Sequence, residues 1–462
     1  MNKVFVFLPD GIGLRNFAFG DFLKQGKEKG FDIKYWNNTV FPLEDKFGYD
    51  EILIDYSKSN PLTDIYKRAR KEIELKQNFK NFKDEAYLSY HFVKSYNGFK
   101  RVVKNLMVNL LTKVYNSELG LIKIRRKIHS LERKTVFYQK AKQQLLDEKP
   151  NLVFCTNQRA LSGIAPMLAA QDLNIPTVTF IFSWDNLPKG MLVVETDFYF
   201  VWSEHMKDEL IMYYPFILEE QVKIVGTPQF SPHFETKNFL TKEKFFSVHN
   251  LNLSKKYICF SGDDITTSPF DQYYLEDLAK AVREMNEYEK TNIGIIYRKC
   301  PVDFTGRHLK VCEKYQNEIT CIDPLWENLG NGWNHVMPTP KDTKLLVNTV
   351  KYSELVINVG SSMVFDAVSH QVPCAYLNYN TEKGDTSQWN IEKIYKYIHF
   401  KSMNFKDAVI WIDKKEDLKS VIRKVLIKEY YLEHTQDWYN KICVTPQKDA
   451  SKNIWKTIET II

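Results

Sequence analysis

Short apolar runs recur along the chain, separated by longer stretches in which apolar positions return every third or fourth residue. The runs predict buried strands and the spaced stretches predict amphipathic helices; their alternation predicts a parallel-sheet α/β architecture. In the first half, strand candidates fall at Val4–Leu8, Ile33–Trp36, Ile52–Tyr56, Leu152–Thr156, Thr177–Phe182, Phe198–Trp202 and Val222–Val225, with helical stretches such as Ala160–Gln171 and His205–Tyr213 between them. A second series begins at Tyr257–Ser261 and continues through Ile293–Arg298, Ile319–Ile322, Leu355–Val359 and Ala375–Leu377, with helices at Leu275–Tyr288, Lys344–Lys351 and Met363–His370. Two successive doubly wound, Rossmann-like units are the simplest architecture. The weakly patterned segment Ser231–Lys255, with Pro232 and Asn250, is expected to connect them.

Residues 61–148 interrupt the first unit without a strand pattern, their only breakers being Pro61, Gly98 and Gly120, which predicts inserted long helices. Leu418–Val425 and Tyr430–Ile461 predict closing helices that pack back on the first unit. The expected division is residues 1–232, an acceptor domain with a helical insertion at about 57–149; 233–428, a nucleotide-donor domain; and 429–462, the returning helices.

Composition adds two constraints. With 462 residues, 44% hydrophobic and 26% charged, the chain is an ordinary globular protein and neither disordered nor collagen-like. Its +7 charge is unevenly spread: residues 57–149 hold 22 basic and 9 acidic side chains, a net +13, so the remainder carries −6. The seven cysteines are scattered without CxxC spacing and read as small core residues of a reduced, cytoplasmic protein. The chain opens on a strand-like run rather than a charged-then-apolar leader, and no stretch reaches 18 apolar residues.

Three loops follow strand candidates, where open α/β sheets bind ligands. The first, Pro9-Asp10-Gly11-Ile12-Gly13-Leu14-Arg15-Asn16, lacks the third glycine of a dinucleotide fingerprint; it is either a substrate-facing loop or an ordinary βα turn. The second, Ser183-Trp184-Asp185-Asn186-Leu187-Pro188-Lys189-Gly190, offers hydroxyl-bonding groups, a Trp face for stacking and Asp185 as a proton acceptor, against the plainer alternative of an Asx turn. The third, Gly360-Ser361-Ser362-Met363-Val364-Phe365-Asp366, joins a strand to a helix start and predicts a phosphate or pyrophosphate seat. Asp366 would reach a ribose hydroxyl or favour the helix dipole. Gly262 follows the first strand of the second series, and Arg298 and Lys299 the second, placing cations for phosphate charge. The adjacent Asp263 and Asp264 read as a helix cap rather than a metal site. The histidines show no HxxxH grouping, and His233, His335 and His370 read as structural.

The two-unit pattern resembles GT-B glycosyltransferases. The segments Val225-Gly226-Thr227-Pro228-Gln229-Phe230, Ser183–Asn186 and Gly360–Asp366 are similar to bacterial surface and capsular polysaccharide transferases and to CDP-glycerol-type transferases. The resemblance implies a nucleotide-sugar donor on the second domain, a glycan or lipid-linked acceptor on the first, and chemistry between them without a metal or other cofactor. It makes Gly262, Arg298, Lys299, Gly360, Ser361, Ser362 and Asp366 donor contacts. Asp10 or Asp185 becomes the base, and Gly11, Gly13, Arg15, Asn16, Trp184 and Asn186 become acceptor contacts. Members often carry Arg or Lys followed by Pro-His after the second strand of the donor domain; here the run is Arg298-Lys299-Cys300-Pro301-Val302-Asp303, without that histidine.

The leading expectation is a metal-independent glycosyltransferase of cell-surface polysaccharide synthesis. The alternatives are a CDP-polyol glycerol- or ribitol-phosphate polymer transferase, a sugar-nucleotide 2-epimerase, or a non-catalytic glycan-binding scaffold. Residues 98–134 mix Lys and Arg with an apolar face and carry no nucleic-acid module; that face either packs on its own domain or rests on an anionic membrane surface, which would make the protein peripheral on the inner face of the cell membrane.

Overall fold

The computed structural model describes residues 2–54, 56–92, 96–330 and 335–462. Contacts divide the chain into two units, one running to Pro228 and taking in Ile442–Ile462, the other Gln229–Lys441. Each is built on a parallel sheet, the α/β architecture expected from the alternating pattern.

The first unit contains β1 (Lys3–Leu8), β2 (Asp32–Asn37), β3 (Glu51–Leu53), β4 (Leu152–Cys155), β5 (Thr177–Phe180), β6 (Phe198–Val201) and β7 (Val222–Ile224), in the order β3-β2-β1-β4-β5-β6-β7. All neighbours are parallel; Val4 pairs with Ile33 on one side and Leu152 on the other. Val4 to Leu8 are fully buried, as a central parallel strand covered on both faces requires. On one face, Phe17, Phe22 and Phe154 pack edge-on and tilted, and Trp455 of the Ala450–Ile461 helix lies against Phe22 and Phe31 and donates its indole N–H to the Phe22 carbonyl at 2.7 Å. Gly26 makes this closeness possible, since a Cβ there would lie 2.4 Å from the Trp455 ring.

The expected insertion is helical. Four helices, Thr63–Phe82, Phe99–Val114, Glu118–Glu132 and Val136–Glu148, lie between β3 and β4 with the short Ala86–Ser89 turn. Their buried faces (Ile65, Ile73, Ile124, Ile128, Phe137, Leu145) cover Phe5, Phe7, Trp36 and Val153 of the sheet. Glu195, just before β6, accepts from Arg70 at 2.9 Å and from Arg125 at 2.7 and 2.6 Å, and so ties two insertion helices to the sheet. The apolar face of residues 98–134 packs on its own domain in one helix and only slightly in the other. Glu118–Glu132 turns Ile124, Ile128 and Leu131 inward, whereas Phe99–Val114 buries only Val108 and Thr112 and leaves Phe99, Leu106, Leu110 and Val114 exposed.

The second unit contains β8 (Lys256–Ser261), β9 (Ile293–Arg298), β10 (Ile319–Ile322), the antiparallel pair β11 (Glu327–Asn328) and β12 (Val336–Met337), then β13 (Leu355–Asn358), β14 (Cys374–Leu377) and β15 (Ile410–Ile412). Its main sheet runs β10-β9-β8-β13-β14-β15, parallel throughout, with the order reversing between β8 and β13. β15 has no counterpart among the expected strands, being too short to carry a period. Ser231–Lys255 is not an open connector: it folds as two 3-10 turns and the helix Lys242–Val248 inside this unit, with Phe245 and Phe246 buried. The strand expected at 52–56 is only Glu51–Leu53, and Asp55 lies outside the described residues. The closing stretch is two helices, Glu433–Ile442 and Ala450–Ile461. All seven cysteines are free, with Cys155, Cys259, Cys374 and Cys443 buried. No helix among the described residues is long and apolar enough to cross a membrane.

Candidate functional site

In the first unit, the order reverses between β1 and β4, and the loops following β1, β4 and β5 form one polar network. Asp10 caps the Gly11–Phe17 helix, one oxygen accepting from the Ile12 and Gly13 amides at 3.1 and 3.4 Å and the other from the Asn157 side chain. Both oxygens are engaged in local structure, one as the helix cap and the other in a bond between loops, while the side chain stays partly exposed. Gly13 serves packing rather than a ligand, because a Cβ there would sit 2.7 Å from the Thr156 hydroxyl. Asn16 is buried and accepts a long 3.4 Å contact from Arg15, so it presents no acceptor contact; Gly11 and Arg15 are partly exposed on that helix.

After β5, Asp185 accepts from the Ser183 hydroxyl at 2.6 Å, from the Asn186 amide at 2.8 Å and from the Lys189 ammonium. Its side chain keeps 23% of its surface, and Asp10 is likewise partly exposed, so solvent reaches both carboxylates of this network. Trp184 is 6% exposed and offers no stacking face; the hydrophobic indole is drawn into the core. Asn186 is likewise buried and accepts from Gln158 at 3.0 Å. Gln158, missed in the sequence, also accepts from the Phe182 amide at 2.8 Å and receives the Val193 and Val194 amides on its carbonyl, which joins the β4 and β5 loops.

In the second unit, the loops after β8 and β13 meet at the point of order reversal. Gly360 has φ +66°, and a Cβ there would lie 2.9 Å from Phe400 and 3.3 Å from Tyr395, so both conformation and space demand glycine. Asn358 accepts from the Ser361 amide at 2.8 Å, and the Tyr376 hydroxyl donates to the Ser361 carbonyl at 2.9 Å, which fixes the turn while Ser361 and Ser362 stay partly exposed. Beside them, the Asp263 carboxyl lies close to the Val359 amide. Burial, then the Asp271 and Asp264 charges, push its affinity for a proton well above the ordinary carboxylate range. Asp271, fully buried, accepts from the Asp263 amide at 2.8 Å. One oxygen each of Asp263 and Asp271, and the Tyr297 hydroxyl, are buried without a hydrogen-bond partner among the described residues. Gly262 lies against this cluster, a Cβ there falling 2.9 Å from the Tyr297 ring.

Two expected donor contacts are occupied elsewhere. Arg298 is 7% exposed and donates to both oxygens of Asp342 at 3.2 and 3.0 Å, a buried pair that Trp326 and the Leu325 amide complete. Lys299, 3.7 Å from the exposed Asp323, is the cation left at that strand end. Asp366 faces inward and accepts from His233 at 2.7 Å; the other nitrogen of His233 stands 2.9 Å from His370, and burial, then the positive field of His233 and Lys351, bring His370 down to about 3. This buried relay takes Asp366 away from a ribose. The pairing of residues 233 and 366, 133 positions apart, leaves no sequence signal. Among the described residues, no group of three or more His, Cys, Asp and Glu side chains is arranged to hold a metal ion.

Solved structures share this double parallel-sheet fold. The UDP-GlcNAc 2-epimerase of Methanocaldococcus jannaschii superimposes with a TM-score of 0.52 at 15% identity over 100% of both chains. MnaA of S. aureus, solved with UDP, gives 0.52 at 12% identity over 100% of this chain and 97% of its own. A glycosyltransferase from Rickettsia africae gives 0.50 at 9% identity over 99% and 98%. At these identities the likeness is one of fold, which is of the GT-B type. No family model and no curated protein sequence matches the chain.

Proposed function

We propose that this protein is a glycosyltransferase that moves a sugar from a nucleotide-sugar donor to a glycan or lipid-linked acceptor, without a metal, in the synthesis of a cell-surface polysaccharide. The observation that carries this is the Gly360–Ser362 turn, set at the order reversal of a parallel sheet between β8 and β13, where such sheets bind nucleotides. The fold is shared with proteins whose structures name UDP and nucleotide sugars. In the proposed complex, Gly360, Ser361 and Ser362 hold the donor diphosphate, Asp263 as a neutral acid donates to it, and Lys299 screens its charge. Asp185 accepts the acceptor's proton, Lys189 setting its orientation.

The 2-epimerase alternative draws on the same likenesses, and one experiment separates the two. The purified protein is incubated with a panel of UDP-, CDP-, GDP- and TDP-sugars and CDP-glycerol, with and without acceptor and with EDTA, and products are followed by NMR. A transferase releases the nucleotide only when acceptor is added, and EDTA leaves the rate unchanged. An epimerase inverts the sugar at C2 without added acceptor. CDP-glycerol as the sole donor would assign the polyol-phosphate transferase instead, and no turnover with any donor would assign a scaffold.

We also propose that the Phe99–Val114 helix rests on anionic lipid. Phe99 is 83% exposed and Leu110 62%, on a segment, residues 98–134, that holds 10 basic and 2 acidic side chains.

A further inference from the structure

A second cluster of charge in the first unit belongs to none of these roles. Lys67 and Lys71 stand one turn apart on the Thr63–Phe82 helix, and with Arg159 from the loop after β4 they line a cavity of about 150 Å³. Phe92, Met191 and Val193 supply its apolar walls. Lys71 is 7% exposed yet makes no ion pair or hydrogen bond among the described residues; its ammonium lies 4.4 Å from the Phe92 ring. The Arg159 guanidinium stands 4.8 Å over Phe182 and meets no carboxylate among the described residues. Among the carboxylates of the described residues Lys67 reaches only Asp64, at 3.6 Å, and Asp64 is shared with Arg68 and Lys104.

The carboxylates that come near are each engaged by another cation, although one Glu74 oxygen is buried without a hydrogen-bond partner among the described residues. Glu74 accepts from Arg70 at 2.7 Å, Glu72 pairs with His91 at 2.7 Å, and Asp185 holds Lys189. Burial, then the Lys189 and Lys67 charges, bring Lys71 down to about 8. A buried ammonium beside two further cations is costly when the Glu72 and Glu74 charges offset it only in part and no carboxylate pairs with it directly among the described residues. Folds tolerate such cost at sites where a ligand supplies the missing charge.

We propose that this cavity is an anion subsite that takes the phosphoryl group of a phosphorylated substrate. Three converging cations, one with a guanidinium fork, match a dianion better than a single carboxylate. The apolar walls suit carbon adjoining the phosphate. The Phe99–Val114 helix, with its exposed apolar residues, packs against the same Thr63–Phe82 helix, through the Lys104–Asp64 pair among other contacts. The assignment of this ligand as the acceptor rests on the transferase reading; the binding of phosphate does not.

The test is titration calorimetry on the full chain with inorganic pyrophosphate and with geranyl diphosphate, each in the presence of saturating UDP, for wild type, Lys71→Met and Arg159→Gln. Each substitution should weaken pyrophosphate binding by about tenfold or more, leave UDP affinity within about twofold, and in Lys71→Met raise the unfolding temperature, because the uncompensated charge is gone. Tighter binding of geranyl diphosphate than of pyrophosphate identifies an amphiphilic phosphate; equal binding identifies a soluble one, and both support the subsite. Unchanged pyrophosphate affinity in both variants overturns it. So does a Lys71→Met protein that loses stability while Arg159→Gln binds normally. If UDP fails to bind but pyrophosphate still depends on Lys71 and Arg159, the nucleotide assignment falls and the subsite stands.

Discussion

Glu195→Gln isolates the contact on which the insertion's placement depends. The wild-type carboxylate, 9% exposed, lies between Arg70 and Arg125 with His129 at 3.7 Å. Burial alone would raise its affinity for a proton; the Arg70 and Arg125 charges outweigh it and hold the group at about 2, against 4.5 for a free glutamate. That difference corresponds to about 3 kcal/mol in favour of the folded state at neutral pH. Glutamine keeps the shape and removes the charge, leaving two guanidinium groups with Glu74 as the remaining nearby carboxylate, so the expected loss is about 3 kcal/mol. A carboxylate whose folded value is depressed contributes fully above its unfolded value and loses that contribution as pH falls. The gap between wild type and variant should therefore be constant at neutral pH and close between pH 4.5 and about 2. Urea denaturation across that range measures the gap, and hydrogen exchange on the 63–148 helices reports whether they loosen first. A loss below about 0.5 kcal/mol at pH 7, or a gap at pH 3 as large as that at pH 7, would refute the reasoning.

Three further outcomes are expected. Gly360→Ala should lower nucleotide affinity by about tenfold or more, since the left-handed backbone costs a side chain about 1–2 kcal/mol and the methyl meets Phe400; Gly48→Ala, at φ +65° in open space, pays the same backbone cost and should leave calorimetric binding unchanged. Asp263→Asn should be more stable than wild type at pH 8 and lose that advantage as pH falls, because with a raised folded-state value the wild-type fold must keep a proton that the unfolded chain releases, a cost that grows with pH; a thermal-unfolding series from pH 5 to 8 checks it, and a pH-independent difference counts against the neutral acid. Phe99→Asp with Leu110→Asp should abolish co-sedimentation with anionic vesicles while leaving the circular dichroism unchanged.

The architecture was legible because its strands are short, saturated with apolar residues and punctuated by helices of a different period. Val4–Leu8, Ile293–Arg298 and Leu355–Asn358 are buried on both faces and leave no competing pattern. What escaped was three-residue β15, and Ser231–Lys255, whose 3-10 turns have no hydrophobic period although Phe245 and Phe246 anchor it. The loops were placed correctly at strand ends, but residue type did not reveal which side chains would be consumed by the protein itself. Arg298 is claimed by Asp342, 44 positions away, and Asp366 by His233, while Trp184 is drawn inward. Conversely, the Lys67–Lys71–Arg159 cavity joins a helix to a loop some 90 positions on, and only the fold brings them together. Charge counting located the basic segment; burial separated the lysines that cover its surface from the one that is buried without a counterion.

The central claim is tested most directly by following a labelled nucleotide sugar in the presence of a phosphorylated acceptor and measuring nucleoside diphosphate and glycosylated product together. Release of nucleotide in equal amount to glycosylated acceptor, reduced by Gly360→Ala and by Asp185→Asn, is the predicted result. Inversion of the sugar at C2 with no acceptor present would contradict it.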